Sequence, residues 1–142
     1  MFSIKRQETR WRTSIWAQRI RRVPIAAEVY QRALERFPNN GILHNNLGVI
    51  HRSRGDLDRA TKAFQAAIRT TPGFAMPYFN LGLILQGAGY RREAIIAYER
   101  FLELAPGQLG TVPYIPKARE RLSALRVENE QAPAGAPRSP SE

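Results

Sequence analysis

Apolar and polar positions between residues 41 and 108 follow a fixed period. Residues 41–74 read GILHNNLGVIHRSRGDLDRATKAFQAAIRTTPGF and residues 75–108 read AMPYFNLGLILQGAGYRREAIIAYERFLELAPGQ. Overlaid without a gap, the two segments match at Asn46/Asn80, Leu47/Leu81, Gly48/Gly82, Ile50/Ile84, Gly55/Gly89, Ala60/Ala94, Ala63/Ala97, Pro72/Pro106 and Gly73/Gly107. Phe64 faces Tyr98 in the same frame. A repeat of this length marks units that cannot bury their apolar faces alone and do so by stacking.

Each unit predicts two helices. Leu47, Gly48, His51 and His44 fall on one side of a helix over residues 41–54. Gly55 suits the left-handed conformation that ends a helix, and Asp56 suits the cap of the next. Ala60, Phe64, Ala67 and Ile68 then recur at helical spacing, and Pro72 with Gly73 stops the run. The unit is therefore a helix, a tight turn and an antiparallel helix. Gly48 and Ala60 let the two backbones approach closely, and Phe64 fills the space beside them.

The flanks extend this pattern. Ala26, Tyr30, Ala33 and Pro38 match Ala60, Phe64, Ala67 and Pro72 at the same offset. Residues 24–37 thus form the second helix of a degenerate unit over residues 7–40, with Pro24 suited to its first turn. After the repeats, residues 109–115 make a loop around Gly110 and Pro113. Pro116 opens a last helix over residues 116–131, whose stripe of Ala118, Leu122 and Leu125 covers the last repeat while its charged face meets water. Residues 132–142, APAGAPRSPSE, lack aromatics and are rich in Pro, Ser and Ala, a composition expected to be disordered.

This pattern resembles the tetratricopeptide repeat (TPR) family, carried by Leu47-Gly48, Ala60, Phe64, Ala67 and Pro72 and by Leu81-Gly82, Ala94, Tyr98, Phe101 and Pro106. His44, His51 and Phe101 depart from the family's preferences. The resemblance implies an all-α protein: a short right-handed α-solenoid of TPR-like helix-turn-helix repeats with a C-terminal capping helix. It also implies a concave groove, lined by the first helix of each unit, that holds a peptide or a helix of a partner. By resemblance the groove residues are Ile42, Asn45, Asn46, Val49, Arg52 and Ser53 from the middle unit. Met76, Phe79, Asn80, Leu83, Gln86 and Gly87 follow from the last. One subtype grips chaperone C-termini with two-carboxylate clamps of Lys, Asn and Arg. Here Trp11, Ile42 and Met76 stand at the matching basic positions, so no chaperone-tail binding is expected.

Charge adds a second candidate surface. The net charge is +10, and residues 1–40 hold nine Lys/Arg against three Asp/Glu. Residues 1–6 form a basic arm. Arg10, Trp11, Arg12, Trp16, Arg19, Arg21 and Arg22 make a basic, aromatic stretch with three open readings: the first helix of the degenerate unit, an amphipathic arm for an anionic membrane or nucleic acid, and an organelle-targeting segment. The chain has no cysteine, which fits a reducing compartment such as the cytoplasm and excludes disulfides. No apolar run approaches the ~18 residues of a membrane span.

Catalytic and metal chemistry find little support. His44 and His51 are two helical turns apart, about 10.5 Å, too far for shared ligation from one helix. Tyr78 and Leu85 stand at the equivalent positions of the next unit, so the histidines read as packing residues. Gly87-Ala88-Gly89 is a turn between helices, not a phosphate loop. Glu93, Glu99 and Glu103 lie among Arg91, Arg92 and Arg100 and read as a solvated face. The expectation is no enzyme, no cofactor, no metal and no small-molecule substrate. The expected function is an adaptor, scaffold or assembly factor holding an apolar or amphipathic segment of another protein, including a membrane-protein segment. The alternatives are a basic peripheral protein on an anionic membrane, or less readily on nucleic acid, and a structural subunit of a larger complex.

Overall fold

The computed structural model describes residues 26–132, and these contain six helices and no strand. Helix α1 covers residues 26–36. It is followed by α2 (Gly41–Ser53), α3 (Leu57–Thr70), α4 (Met76–Gly87), α5 (Arg91–Leu104) and α6 (Tyr114–Gln131). The arm at residues 1–6, the basic stretch from Arg10 to Arg22 with its three readings, Pro24 and the tail from residue 133 lie outside the described residues.

Local signals account for the helix ends. The Ile42 and Leu43 amides donate to Asn40 Oδ1 at 3.0 and 3.1 Å, which satisfies two free donors at the start of α2. Asp56 caps α3 by accepting from the Arg59 amide at 3.2 Å. Between the paired helices Gly55 and Gly89 adopt φ of 80° and 86°. That left-handed step lets the Asp56 amide donate back to the His51 carbonyl (3.0 Å) and the Tyr90 amide to the Leu85 carbonyl (2.9 Å). The same turn closes both units. Helix α4 has no side-chain cap, and Gln108 ties its start instead. Gln108 Oε1 accepts from the Ala75 amide at 3.0 Å, and its Nε2 donates to the Gly73 carbonyl at 2.6 Å.

The helix pairs α2–α3 and α4–α5 close on the small-residue positions. Ala60, Phe64 and Ala67 are fully buried in the first pair, and Ala94, Tyr98 and Phe101 in the second. Phe101 fills a position the family gives to a small residue because α6 lies against it. A single core runs through α4, α5 and α6 and includes Phe79, Tyr98, Phe101, Ala118, Leu122 and Leu125.

One boundary expectation changes. The last helix starts at Tyr114, not at Pro116. Pro116 sits in the first turn, where its missing N–H has no helical partner to lose. Thr111 holds the preceding loop, its Oγ1 donating to the Ala105 carbonyl at 2.8 Å. The face of α5 expected to be solvated stays exposed and carries surface ion pairs to α6. Arg126 of α6 pairs with Glu99 at 2.7 Å and Glu128 with Arg91 at 3.5 Å.

The two histidines differ. His44 Nε2 donates to the Pro38 carbonyl at 2.7 Å. His51 is buried, and its burial pushes the imidazole below its ordinary value; Asp56 opposes this, while Arg59 and Arg54 add to it. A lowered folded-state value favours the neutral ring. Stability is therefore complete above the ordinary histidine range and falls as pH drops through it. His51→Leu, which installs the residue found at position 85, should flatten this dependence. Thermal melts of both proteins from about pH 7 to about pH 5.5 check it.

Candidate partner-binding groove

Helices α2 and α4 lie side by side, and α6 rises next to α4. Their exposed faces enclose a hollow of about 460 Å³ lined by Asn45, Asn46, Val49, Arg52, Met76, Phe79, Asn80, Leu83, Gly110, Tyr114, Lys117 and Arg121. Eight of these are residues the sequence placed in a groove. Their convergence follows from the repeat, since the same face of the first helix recurs in each unit.

Within that set the roles divide. Val49 is exposed, and Met76 and Leu83 are half-buried beside the hollow. Phe79 is 4% exposed and packs its ring against Tyr98, Phe101 and Tyr114, with centroids 5.8, 5.2 and 5.2 Å away. It is the floor of the groove more than its wall. Asn45 and Asn80 are also buried. Asn80 Nδ2 donates to Asn45 Oδ1 at 3.0 Å, and Arg52 donates to Asn80 Oδ1 at 2.9 Å. The Asn80 amide, expected to line the groove, therefore links α2 to α4. Burying two amides without these bonds would cost about 1–3 kcal/mol each.

Ile42 and Gln86 are not in this hollow. Ile42 borders a separate one near Phe37, Asn40 and Thr71. Gln86 sits at the far edge, where its Oε1 accepts from the Tyr98 hydroxyl at 2.9 Å and from Arg121 at 3.1 Å. Burial pushes the Tyr98 phenol up, against the pull of Arg121. Ser53 Oγ turns back to the Ile50 carbonyl at 2.7 Å, and Gly87 is exposed at the turn.

The sequence reading missed Gly110, Tyr114, Lys117 and Arg121. Lys117 and Arg121 are four residues apart, hence neighbours on one helix face. That spacing was visible, but α6 had been given only a buried stripe and a solvated face. Its side against α4 supplies a third wall.

The comparisons agree with this architecture. Tetratricopeptide repeat models match residues 17–73 and 77–108. The chain belongs to the tetratricopeptide repeat family. Among curated relatives it is 28% identical, over 104 residues, to the small glutamine-rich tetratricopeptide repeat-containing protein 2 of Mycosarcoma maydis. That match covers 73% of this chain and 30% of the relative, so the chain spans under a third of that protein's length. Among solved structures, the Yersinia enterocolitica type III secretion translocator chaperone SycD superposes with a TM-score of 0.70 at 16% identity, over 77% of this chain and 75% of that one. The first TPR domain of Spaghetti (RPAP3), solved bound to the HSP90 peptide SRMEEVD, superposes with a TM-score of 0.58 at 20% identity, over 72% and 81%. These likenesses establish an all-α TPR solenoid. As a TPR protein the chain is a protein-interaction module and not an enzyme.

Proposed function

We propose that the hollow between α2, α4 and α6 is the working surface, and that it holds an apolar or amphipathic segment of a partner protein as an adaptor or assembly factor does. The observation that carries this reading is the run of Val49, Met76 and Leu83 along a concave surface whose floor is Phe79. Exposed apolar side chains scattered singly need no explanation, but a concave row of them is suited to a helix laid on its apolar face. A similar fold, that of Spaghetti, holds a peptide, which supports an extended or helical segment as the ligand class.

Val49→Arg tests the reading, because Val49 is exposed and its replacement leaves the core intact. The tagged full chain and this variant would be compared in pull-downs from native lysate at low and moderate salt, after thermal melts show that both fold. The expected result is one protein partner that survives salt with the wild type and is lost with Val49→Arg. Binding unchanged by Val49→Arg but abolished by salt would move the working surface to the basic N-terminal stretch.

A further inference from the structure

We propose that the loop over residues 109–113 is a second contact for the segment held in this groove. The segment leaves the hollow along α4 and lays a further apolar side chain on Leu109 and Val112. The inference rests on the groove reading above and adds the direction of the segment and the length of its apolar face. Leu109 is fully exposed and Val112 is 72% exposed. One exposed apolar side chain needs no explanation. These two stand together on a short loop, and Gly110 between them lines the hollow beside Met76 and Tyr114. The apolar surface of the groove therefore continues past its mouth onto the loop.

The loop is fixed from inside. Thr111 is buried, and its Oγ1 has two carbonyl acceptors, Ala105 at 2.8 Å and Gln108 at 2.7 Å. The Tyr114 amide donates to the Thr111 carbonyl at 2.9 Å. Gln108 binds the Ala75 amide, which places the loop against the start of α4. Thr111 is thus turned in, while Leu109 and Val112 are left in water on a tied backbone. Apolar side chains already held in place lose less freedom on binding than those of a mobile loop. The same placement gives the segment a direction. Helices α2 and α6 stand on either side of α4, so the hollow runs along α4. Val49 and Leu83 are equivalent repeat positions and mark one level of it. Met76 is seven residues before Leu83, two turns or about 10.5 Å along α4. The loop lies about one turn beyond, roughly 16 Å from the level of Val49. A helical segment covers that span in about 11 residues, and an extended one in about five. A segment that filled the hollow alone would leave the apolar pair at its mouth uncovered.

The test uses the full chain and the protein partner captured in the pull-down. Leu109→Ser/Val112→Ser should weaken that partner about tenfold or more, the scale of uncovering one to two aliphatic side chains. Its melting temperature should not change, because both side chains are exposed. Ile96→Ser, at an exposed apolar position of α5, is the control and should leave affinity unchanged. An aliphatic diazirine amino acid is then placed at position 49 or at position 109, and the photocrosslinks are read by mass spectrometry. Both positions should mark one segment of the partner, at sites about 11 residues apart in a helix or about five in an extended chain. Binding lost with Val49→Arg but unchanged in Leu109→Ser/Val112→Ser would overturn the inference and leave the groove reading standing. A crosslink from position 109 to a second copy of this chain, or to a different protein, would overturn it too. A partner indifferent to Val49→Arg, or no partner at all, would remove both readings.

Discussion

Gly48→Val is expected to lower stability by about 1–3 kcal/mol, or roughly 4 °C of melting temperature for each kcal/mol. A Cβ at Gly48 would stand 2.6 Å from Phe64 Cε1 and 2.7 Å from Cδ1. Phe64 is fully buried, so its ring has no space into which to retreat. Replacing a helical glycine normally gains up to about 1 kcal/mol in propensity, least for β-branched Val. Here the overpacking exceeds that gain. Gly82→Val should behave alike, since its Cβ would meet Tyr98 Cε1 at 2.7 Å. Gly73→Ala is the control, because nothing lies within 4 Å of a Cβ there. Thermal melts of the three variants check the prediction. Unchanged melting for both valine variants would contradict the close approach on which the helix pairs depend.

Phe79→Ala should have the larger effect, a loss of about 3–5 kcal/mol. Its ring joins three helices, touching Tyr98 and Phe101 of α5 and Tyr114 of α6. Removing it leaves a cavity under the groove and loosens the wall that carries Lys117 and Arg121. Against a total stability of about 5–15 kcal/mol this is a large fraction. Urea unfolding would measure the loss, and Phe79→Leu should recover a good part of it. A loss under about 1 kcal/mol for Phe79→Ala would mean that α6 is held by its ion pairs and by Leu122 and Leu125 instead.

Much of this architecture was legible in the residues. The pairing of Gly48 with Phe64, and of Gly82 with Tyr98, could be read from the period because a small residue opposite an aromatic has one packing solution. Gly55 and Gly89 marked turns for a similarly local reason. The groove was legible as a set of helix faces, and less so in its details. Nothing local says that Asn80 is buried between Asn45 and Arg52, because that depends on how closely α2 and α4 approach. Phe79 read as groove-facing because the period places it on the first-helix face. That α6 would roof this end of the groove, and bring Tyr114 onto Phe79, depends on a non-repeating loop. Leu109–Pro113 has no counterpart in the repeat, so the path by which Thr111 directs the chain into α6 could not be extrapolated. For the same reason only one cation of the groove, Arg52, was expected, whereas two more, Lys117 and Arg121, come from the capping helix.

The most direct measurement is a map of backbone amide shifts, by ¹H–¹⁵N correlation spectroscopy, as the binding segment of the partner captured in the pull-down is titrated into the full chain. The largest changes should cluster on Val49, Leu83, Lys117 and Arg121, with the exposed Ile96 of α5 unmoved. Changes centred instead on Phe37 and Ile42, or on Ile96, would place binding on another surface and contradict the groove assignment.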